Sequence, residues 1–96
     1  MAKHGFVYII TNRNNTVLYT GVTSNLIQRI YQHRTKAVKG FSAKYQCEKL
    51  VYFEQAEEMI EAIAREKQIK AGSRAKKEKL INKLNPNWDD LYQSLL

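Results

Sequence analysis

The chain has little cysteine, proline or glycine and no long hydrophobic run. Its 96 residues include one cysteine, one proline and four glycines. The single Cys47 excludes an intrachain disulfide framework and zinc sites built on paired cysteines, and His4 and His33 alone do not make a structural zinc site. Neither a membrane span nor a secretory signal is present in the sequence. We therefore expect one small cytoplasmic domain over residues 1–96, without a membrane partner.

Acidic residues are scarce in the first half of the chain. Residues 1–50 contain eight Lys or Arg and one acid, Glu48, whereas residues 51–96 contain eight of each sign. The formal net charge of +7 therefore arises from the first half. Such an excess favours a polyanionic partner such as nucleic acid, but solubility alone also explains it, so charge does not choose between the two.

Hydrophobic patterning predicts a hairpin and a helix in the first half. Residues 6–10 and 16–22 have the length and composition of strands, and the Asn residues in 13–15 provide turn chemistry between them. A helix follows from Leu26 to about Thr35, with N-cap candidates just before it. Spacings of three and four predict one apolar face for this helix, made of Leu26, Ile27, Ile30 and Tyr31.

One further strand and two helices are predicted in the second half. A basic loop over residues 36–46 precedes a third strand at 49–53, which joins the hairpin. A helix over 56–71 ends at Gly72, and Ser73 begins a third helix that ends at Asn85-Pro86. The predicted apolar side chains are Met59, Ile60, Ile63 and Ala64 on the second helix and Leu80, Ile81 and Leu84 on the third. The order β-β-α-β-α-α predicts an α+β fold, with a three-stranded sheet covered by helices.

Common enzyme motifs are missing, and a few polar side chains on core elements remain. The chain has no Gly-rich phosphate loop, no Gly-x-Ser-x-Gly and no His-Glu-x-x-His. Each remaining side chain has a structural explanation when taken singly. Strand tyrosines usually pack, two helix residues four apart usually share a solvated face, and a helix Glu pairs with a Lys one turn on. These side chains are Tyr8, Tyr19, Arg29, His33 and Glu66.

Their order resembles the GIY-YIG nuclease superfamily. Val7-Tyr8-Ile9 is followed by Tyr19-Thr20-Gly21 and then by Leu26-x-x-Arg29-x-x-x-His33. Residues 61–70 and 85–92 are similar to the second half of small stand-alone bacterial members, the UPF0213-like proteins. The resemblance covers nearly the whole chain. It implies a three-stranded antiparallel β-sheet flanked by α-helices, in agreement with the order read from periodicity.

The resemblance also implies an activity and a set of site residues. The activity is metal-dependent endonucleolytic hydrolysis of nucleic acid. DNA is the expected substrate, with RNA as the alternative. Tyr8 and Tyr19 match the tyrosines of the two triplets, Arg29 matches the family arginine, and Glu66 matches the single ligand of one Mg²⁺ or Mn²⁺ ion. His33 matches a histidine found in some members. The matching supporting positions are Gly21 and a C-terminal asparagine, Asn85.

Two positions depart from the family triplets. Phe6 stands where the first triplet has Gly, with Gly5 one place earlier, and Thr20 replaces the central Ile of the second. Both tyrosines and Gly21 remain, so the changes concern packing more than chemistry.

The chemistry of such a site follows from its residue types. One carboxylate is a sufficient anchor for Mg²⁺, which keeps several waters, and the planar Arg29 fork suits phosphate oxygens. Tyr8 is the candidate for activating water and Tyr19 for orienting it, although a free tyrosine with a pKa near 10 needs help to ionise. His33 either relays a proton or is an ordinary helix residue.

Substrate contacts and alternative functions stay open at this stage. Phe41 and Tyr45 either stack on an unpaired base or anchor their loop. The sequence indicates neither the preferred nucleic acid nor the oligomeric state. A catalytically silent or partner-dependent nucleic-acid-binding module is the main alternative, and a protein-interaction adaptor using Trp88 is a third. The candidate contacts to the phosphate backbone are Lys36, Lys39, Lys44 and Lys49, with Lys76, Lys77 and Lys79.

Overall fold

The sheet has three antiparallel strands in the order β2-β1-β3. The computed structural model describes residues 4–96. Strands β1 (Gly5–Thr11) and β2 (Leu18–Thr23) form the predicted hairpin, and β3 (Lys49–Ala56) pairs with the other edge of β1. A positive φ of 58° at Asn15 confirms the left-handed turn residue expected in the hairpin loop. The predicted α+β class and antiparallel sheet are therefore confirmed.

Helices cover both faces of the sheet. The predicted element order is confirmed, with two short additions: α2 lies within the predicted loop 36–46, and a terminal 3-10 helix covers Gln93–Leu95. The loop prediction was wrong at α2 because four residues are too few for a periodic signal. The helices are α1 (Leu26–Arg34), α2 (Phe41–Lys44), α3 (Met59–Ala71) and α4 (Arg74–Leu84).

Side-chain caps fix where the long helices begin. Asn25 accepts a hydrogen bond from the Gln28 backbone N–H at 3.1 Å, and Ser73 accepts one from Lys76 at 3.2 Å. Glu58 and Glu61 form a reciprocal capping box at the start of α3. This box starts α3 three residues later than predicted, because β3 continues to Ala56.

Alternating side chains of β1 supply two separate hydrophobic clusters. Val7 and Ile9 face α3 and α4, whereas Tyr8 and Ile10 face α1 and the C-terminal tail. A register shift between Ile9 and Ile10 places a bulge in the pairing with β3. The α3 cluster also contains Val51, Tyr52, Ala62, Ile69 and Ile81, and the α1 cluster contains Leu26, Ile30, Cys47, Leu50 and Tyr92.

The apolar faces predicted from spacing were wrong for several side chains. In α1 only Leu26, Ile30 and His33 are buried, because the sheet covers a narrow stripe of a nine-residue helix. In α3 the buried residues are Ala62 and Ile69, two turns apart. Ala62 is small enough for α3 to approach β1 at Gly5, where an added Cβ would lie 2.5 Å from the Ala62 Cβ. The side chains that were predicted on these apolar faces but are exposed in the structure are Ile27, Tyr31, Ile60, Ile63, Ala64 and Leu84.

None of the helices described over residues 4–96 combines the length and hydrophobicity that a bilayer span requires.

Candidate active site

The Tyr8 side chain is buried in the middle of β1 on the side of α1. Its partner across the β1–β2 ladder is Gly21. A Cβ at position 21 would lie 2.4 Å from both Cζ and Oη of Tyr8, so only glycine leaves room for the end of the tyrosine ring. The glycine of the second sequence triplet therefore makes space for the tyrosine of the first.

The Tyr8 hydroxyl is hydrogen-bonded to an imidazole. Tyr8 Oη lies 2.8 Å from His33 Nε2, and the other ring nitrogen, Nδ1, lies 3.0 Å from Ser42 Oγ. His33 reaches this position because it lies on the sheet-facing stripe of α1, and Ser42 reaches it from α2. The three side chains form a buried polar chain within an otherwise apolar cluster.

Tyr19 lies against the same imidazole and connects it to an exposed aromatic pair. Its ring centroid is 5.5 Å from that of His33 and 6.5 Å from that of Tyr8. On its other side Tyr19 stacks on Phe41 at 6.2 Å, and Phe41 contacts Tyr45 at 4.7 Å. Phe41 and Tyr45 are 50% and 41% exposed, so the aromatic row leads from the buried site to the surface.

The charges around Tyr8 act on it in opposite directions. Burial, helped by Tyr19 and by the negative charge of Glu66, raises the pKa of Tyr8 to about 12. The Arg29 guanidinium acts against them, because its positive charge lowers the pKa. Arg29 and Glu66 therefore both lie within electrostatic reach of the Tyr8 oxygen.

His33 is a neutral imidazole at pH 7. Burial, and then the positive charge of Arg29, lowers the pKa of His33 to about 4. A neutral imidazole carries one N–H and one free lone pair, so it can accept a proton from a neighbouring hydroxyl. The base nearest to Tyr8 is thus unprotonated and ready to accept a hydrogen bond.

Glu66 has the properties of a single metal-binding carboxylate. Its side chain projects from α3 and is 14% exposed, and its Oε2 accepts a hydrogen bond from Lys70 Nζ at 3.3 Å. Within residues 4–96 the other oxygen, Oε1, makes no hydrogen bond, and no group of three His, Cys, Asp or Glu side chains is gathered in one place. One carboxylate of this kind fits a hard divalent ion that keeps most of its water, rather than zinc.

A family model decides the relationship of this chain to known proteins. The model of the GIY-YIG catalytic domain matches residues 4–83. The chain belongs to the GIY-YIG family. GIY-YIG is a nuclease family, so its members act on nucleic acid, and they typically use a divalent metal ion.

Relatives of this GIY-YIG chain are UPF0213 proteins. One from Staphylococcus haemolyticus is 42% identical over 85 residues, which cover 84% of this chain and 96% of the relative. One from Natronomonas pharaonis is 38% identical, with coverage of 84% and 94%. The solution NMR structure of a UPF0213 protein from Bacillus halodurans matches with a TM-score of 0.57 at 25% identity, covering 91% of this chain and 92% of that one.

The predicted backbone-contacting lysines of the GIY-YIG domain lie on two parts of the surface. Lys36, Lys39 and Lys44 are exposed around α2, on the side of the aromatic row, and Lys36 Nζ lies 3.9 Å from Glu48. Lys76 and Lys77 belong to α4, which packs on the opposite face of the sheet. Lys77 Nζ donates to the Gly72 carbonyl at 2.9 Å, which holds it at the α3–α4 junction.

A basic cleft opens next to the aromatic row. Its volume is about 670 Å³, and Tyr45 forms part of its wall. The only acids in its lining are Glu48 and Asp90, and Asp90 is paired with Arg34 at 2.6 Å. The remaining cations of the lining are Arg13, Lys44 and Lys49.

Asn85, predicted as a supporting residue, makes backbone contacts at the end of α4. Its Nδ2 donates to the carbonyls of Val51 at 3.1 Å and Asp89 at 2.8 Å, and its Oδ1 accepts from the Asp89 N–H at 3.1 Å. These bonds fasten α4 to β3. None of the described contacts links Asn85 to Tyr8.

A second buried tyrosine lies on the opposite face of the sheet. The Tyr52 hydroxyl donates to Glu54, and Arg65 donates to the same carboxylate from Nε at 3.0 Å and from Nη2 at 2.9 Å. Burial, with the neighbouring carboxylate, raises the pKa of Tyr52 to about 12. Neither the Tyr52–Glu54–Arg65 group nor Ser42 was identified from the sequence, because neither belongs to a motif or to a periodic pattern.

Proposed function

We propose that this GIY-YIG domain is a divalent-metal-dependent endonuclease that hydrolyses phosphodiester bonds in DNA. The observation that carries the proposal is the buried hydrogen bond between the Tyr8 hydroxyl and the neutral imidazole of His33, at 2.8 Å. Arg29 and Glu66 lie within electrostatic reach of the same hydroxyl. A potential base thus has a cation and a candidate metal-binding carboxylate within electrostatic reach, and these are the groups that phosphodiester hydrolysis needs.

Tyr8 is protonated in the free protein and needs a change of charge to act as a base. With its pKa at about 12, the phenol keeps its proton at neutral pH. Glu66 is one cause of that high pKa, so neutralising its carboxylate favours the phenolate. When bound at Glu66, Mg²⁺ or Mn²⁺ supplies this neutralisation and withdraws electron density from a phosphate oxygen. In this proposal the protein becomes active only in the presence of both metal and substrate.

The remaining site residues have complementary roles. Arg29 presents a planar guanidinium that stabilises the negative charge that grows on the phosphate oxygens. Tyr19, in contact with His33 but closer to the surface, orients the attacking water or the phosphate. His33 accepts the Tyr8 proton through Nε2, and Gly21 leaves the space that Tyr8 occupies.

Substrate binding is proposed for the α2 side of the molecule. The aromatic row of Phe41 and Tyr45 leads from Tyr19 to the basic cleft, where Lys44 lies with its Nζ 5.4 Å from the Tyr45 ring centroid. Aromatic rings of this kind stack on bases, and lysines around them neutralise phosphates without reading sequence. Lys36 and Lys39 extend this surface. Lys76 and Lys77, on the opposite face, would contact only a nucleic acid that wraps around the domain.

A cleavage experiment tests the proposal. Labelled branched, nicked, single-stranded and linear DNA, with an RNA control, are incubated with the purified protein in Mg²⁺, in Mn²⁺ and in EDTA. The Glu66→Gln variant is compared with Glu57→Gln, which changes an exposed carboxylate just before α3. We expect metal-dependent products from the parent and from Glu57→Gln, and none above background from Glu66→Gln.

Two outcomes contradict the proposal in different ways. Substrates that are bound but never cut, with any metal, favour the nucleic-acid-binding module or a nuclease that requires a protein partner. Cleavage that Glu66→Gln retains at the parent rate would separate the activity from this site. Cleavage of RNA alone would correct the substrate while leaving the chemistry in place.

A further inference from the structure

The imidazole of His33 is held at both nitrogens by buried hydroxyl groups. Tyr8 is on one side and Ser42 on the other, and the exposed fractions of Tyr8, His33 and Ser42 are 0%, 2% and 3%. Because water does not reach the ring, the two protein hydroxyls decide which nitrogen carries hydrogen. The contact to Ser42 therefore affects the contact to Tyr8.

The direction of the two hydrogen bonds depends on the ring tautomer. Each hydroxyl can donate or accept, so Tyr8 and Ser42 can satisfy the two ring nitrogens in either tautomer. Only the tautomer with hydrogen on Nδ1 leaves the Nε2 lone pair facing the Tyr8 hydroxyl. In that tautomer Ser42 Oγ, at 3.0 Å from Nδ1, is the acceptor of the ring hydrogen.

The fold holds Ser42 at this place through α2. Gly40, with a φ of 108°, begins the four-residue helix with a backbone angle that other residues rarely adopt. The Cys47 N–H donates to the Ser42 carbonyl at 2.8 Å, and Cys47 is buried in the α1 cluster. The serine is thus fixed by its backbone on both sides, and its hydroxyl has little freedom to leave His33.

We propose that Ser42 is a positioning residue that keeps His33 in the tautomer with hydrogen on Nδ1, so that Nε2 can accept the proton of Tyr8. The proposal rests on the function proposed above. In the proton transfer the Tyr8 O–H bond breaks, its electron pair stays on the oxygen as phenolate, and the Nε2 lone pair forms the new N–H bond. The resulting imidazolium donates from Nε2 to the phenolate and from Nδ1 to Ser42, so both of its hydrogens remain bonded.

The tautomer can be measured without any substrate. The ¹⁵N chemical shifts of the His33 ring at pH 7 distinguish Nδ1–H from Nε2–H, and two nearly isosteric variants, Ser42→Thr and Ser42→Val, keep or remove the hydroxyl. We expect Nδ1–H in the parent and in Ser42→Thr, and a mixture of tautomers or Nε2–H in Ser42→Val. An Nε2–H ring in the parent, or identical shifts in the Thr and Val variants, overturns the proposal.

A second variant keeps the test decisive if Ser42→Val does not fold. In Tyr8→Phe the other hydroxyl is removed, and a tautomer set by Ser42 must remain Nδ1–H. If the ring changes tautomer in Tyr8→Phe, then Tyr8 rather than Ser42 sets it, and the proposal is wrong.

Turnover gives the functional half of the test. We expect kcat to fall roughly ten- to a hundredfold in Ser42→Val, as for the loss of one buried hydrogen-bond partner, with little change in KM. Ser42→Thr is expected to recover most of kcat, and Ser24→Ala, at an exposed serine, to equal the parent. Equal kcat in the Thr and Val variants overturns the role. If the parent cuts nothing, the proposed function fails, while the ring shifts still report the tautomer.

Discussion

Two tyrosines on opposite faces of the same sheet are both buried, and the pKa of each is raised to about 12. They differ in their partners. The Tyr52 hydroxyl donates to a carboxylate that Arg65 already binds through two nitrogens, so the group is a closed ion pair. The Tyr8 hydroxyl instead meets a neutral imidazole, with Arg29 and Glu66 acting on it from nearby.

This difference shows that a shifted pKa does not by itself mark an active site. Glu54 is bonded to Arg65 through both of its carboxylate oxygens, so the Tyr52 hydroxyl adds to an ion pair that is already complete. Tyr8 instead contacts the neutral imidazole of His33 and has Glu66 within electrostatic reach, and in the proposed mechanism a metal ion held by Glu66 would neutralise that carboxylate. Tyr52 is therefore expected to stabilise the fold, and Tyr8 to take part in chemistry.

The largest effect is expected from exchanging the arginine of each site. Arg29→Lys should lower kcat by about 10² to 10³-fold, because a lysine cannot reproduce the planar fork at the phosphate oxygens. Arg65→Lys should leave kcat near the parent and lower the free energy of unfolding, since it weakens the Glu54 ion pair and the hydrogen bond to Gln68. Single-turnover kinetics and urea unfolding measure the two quantities. Equal losses of kcat in both variants would remove the distinction between the sites.

A loss of stability that begins as the pH falls below 6.5 is expected on the Tyr8 side. The folded pKa of His33 is about 4 and its ordinary value is 6.5, so between these values the unfolded chain binds a proton that the folded chain does not. The free energy of unfolding should therefore fall as the pH drops from 6.5 to 4, by on the order of 3 kcal/mol from this group. Urea unfolding of the parent and of His33→Gln, compared at each pH, isolates this contribution. Parallel curves for the two proteins would contradict a buried neutral His33.

Adding one methyl group on each face of the sheet should change stability and kcat by a smaller amount and still distinguish the two sites. In Gly21→Ala the new Cβ meets the Tyr8 ring, whereas in Gly5→Ala it meets Ala62 of α3. Both changes should lower the free energy of unfolding by about 1 to 3 kcal/mol, the usual cost of overpacking. Without urea, and at a temperature where both variants are folded, only Gly21→Ala should also lower kcat, because only this change displaces Tyr8. A normal kcat in Gly21→Ala would show that the position of Tyr8 is not important.

Much of the fold could be predicted from the sequence because its signals are local. The strand runs, the Asn turn, the Ser73 cap and Gly72 each act within a few residues, and all were identified, with strand ends that differ by up to three residues from the prediction. Buried helix faces were harder to predict. Ile60 and Ile63 have helical spacing, yet α3 packs through Ala62, because the close approach at Gly5 admits only a small side chain.

The candidate site was predictable in part. Tyr8, Tyr19, Arg29, His33 and Glu66 were identified from the family pattern. The structure places Tyr19 and His33 next to the Tyr8 ring, with Arg29 and Glu66 in electrostatic reach of its hydroxyl. Ser42 could not be found, because its role depends on a four-residue helix and on a contact between distant parts of the chain. The partners of Tyr52 were missed for the same reason, since they meet only through tertiary packing.

Removal of each tyrosine hydroxyl tests the central claim most directly. Tyr8→Phe and Tyr52→Phe are compared in single-turnover cleavage of a DNA substrate with Mg²⁺ or Mn²⁺, under conditions where both are shown to be folded. The account predicts that Tyr8→Phe loses at least about a hundredfold in rate, as for the loss of a general base, while Tyr52→Phe cleaves like the parent. Retained cleavage by Tyr8→Phe, or an equal loss in both variants, would contradict it.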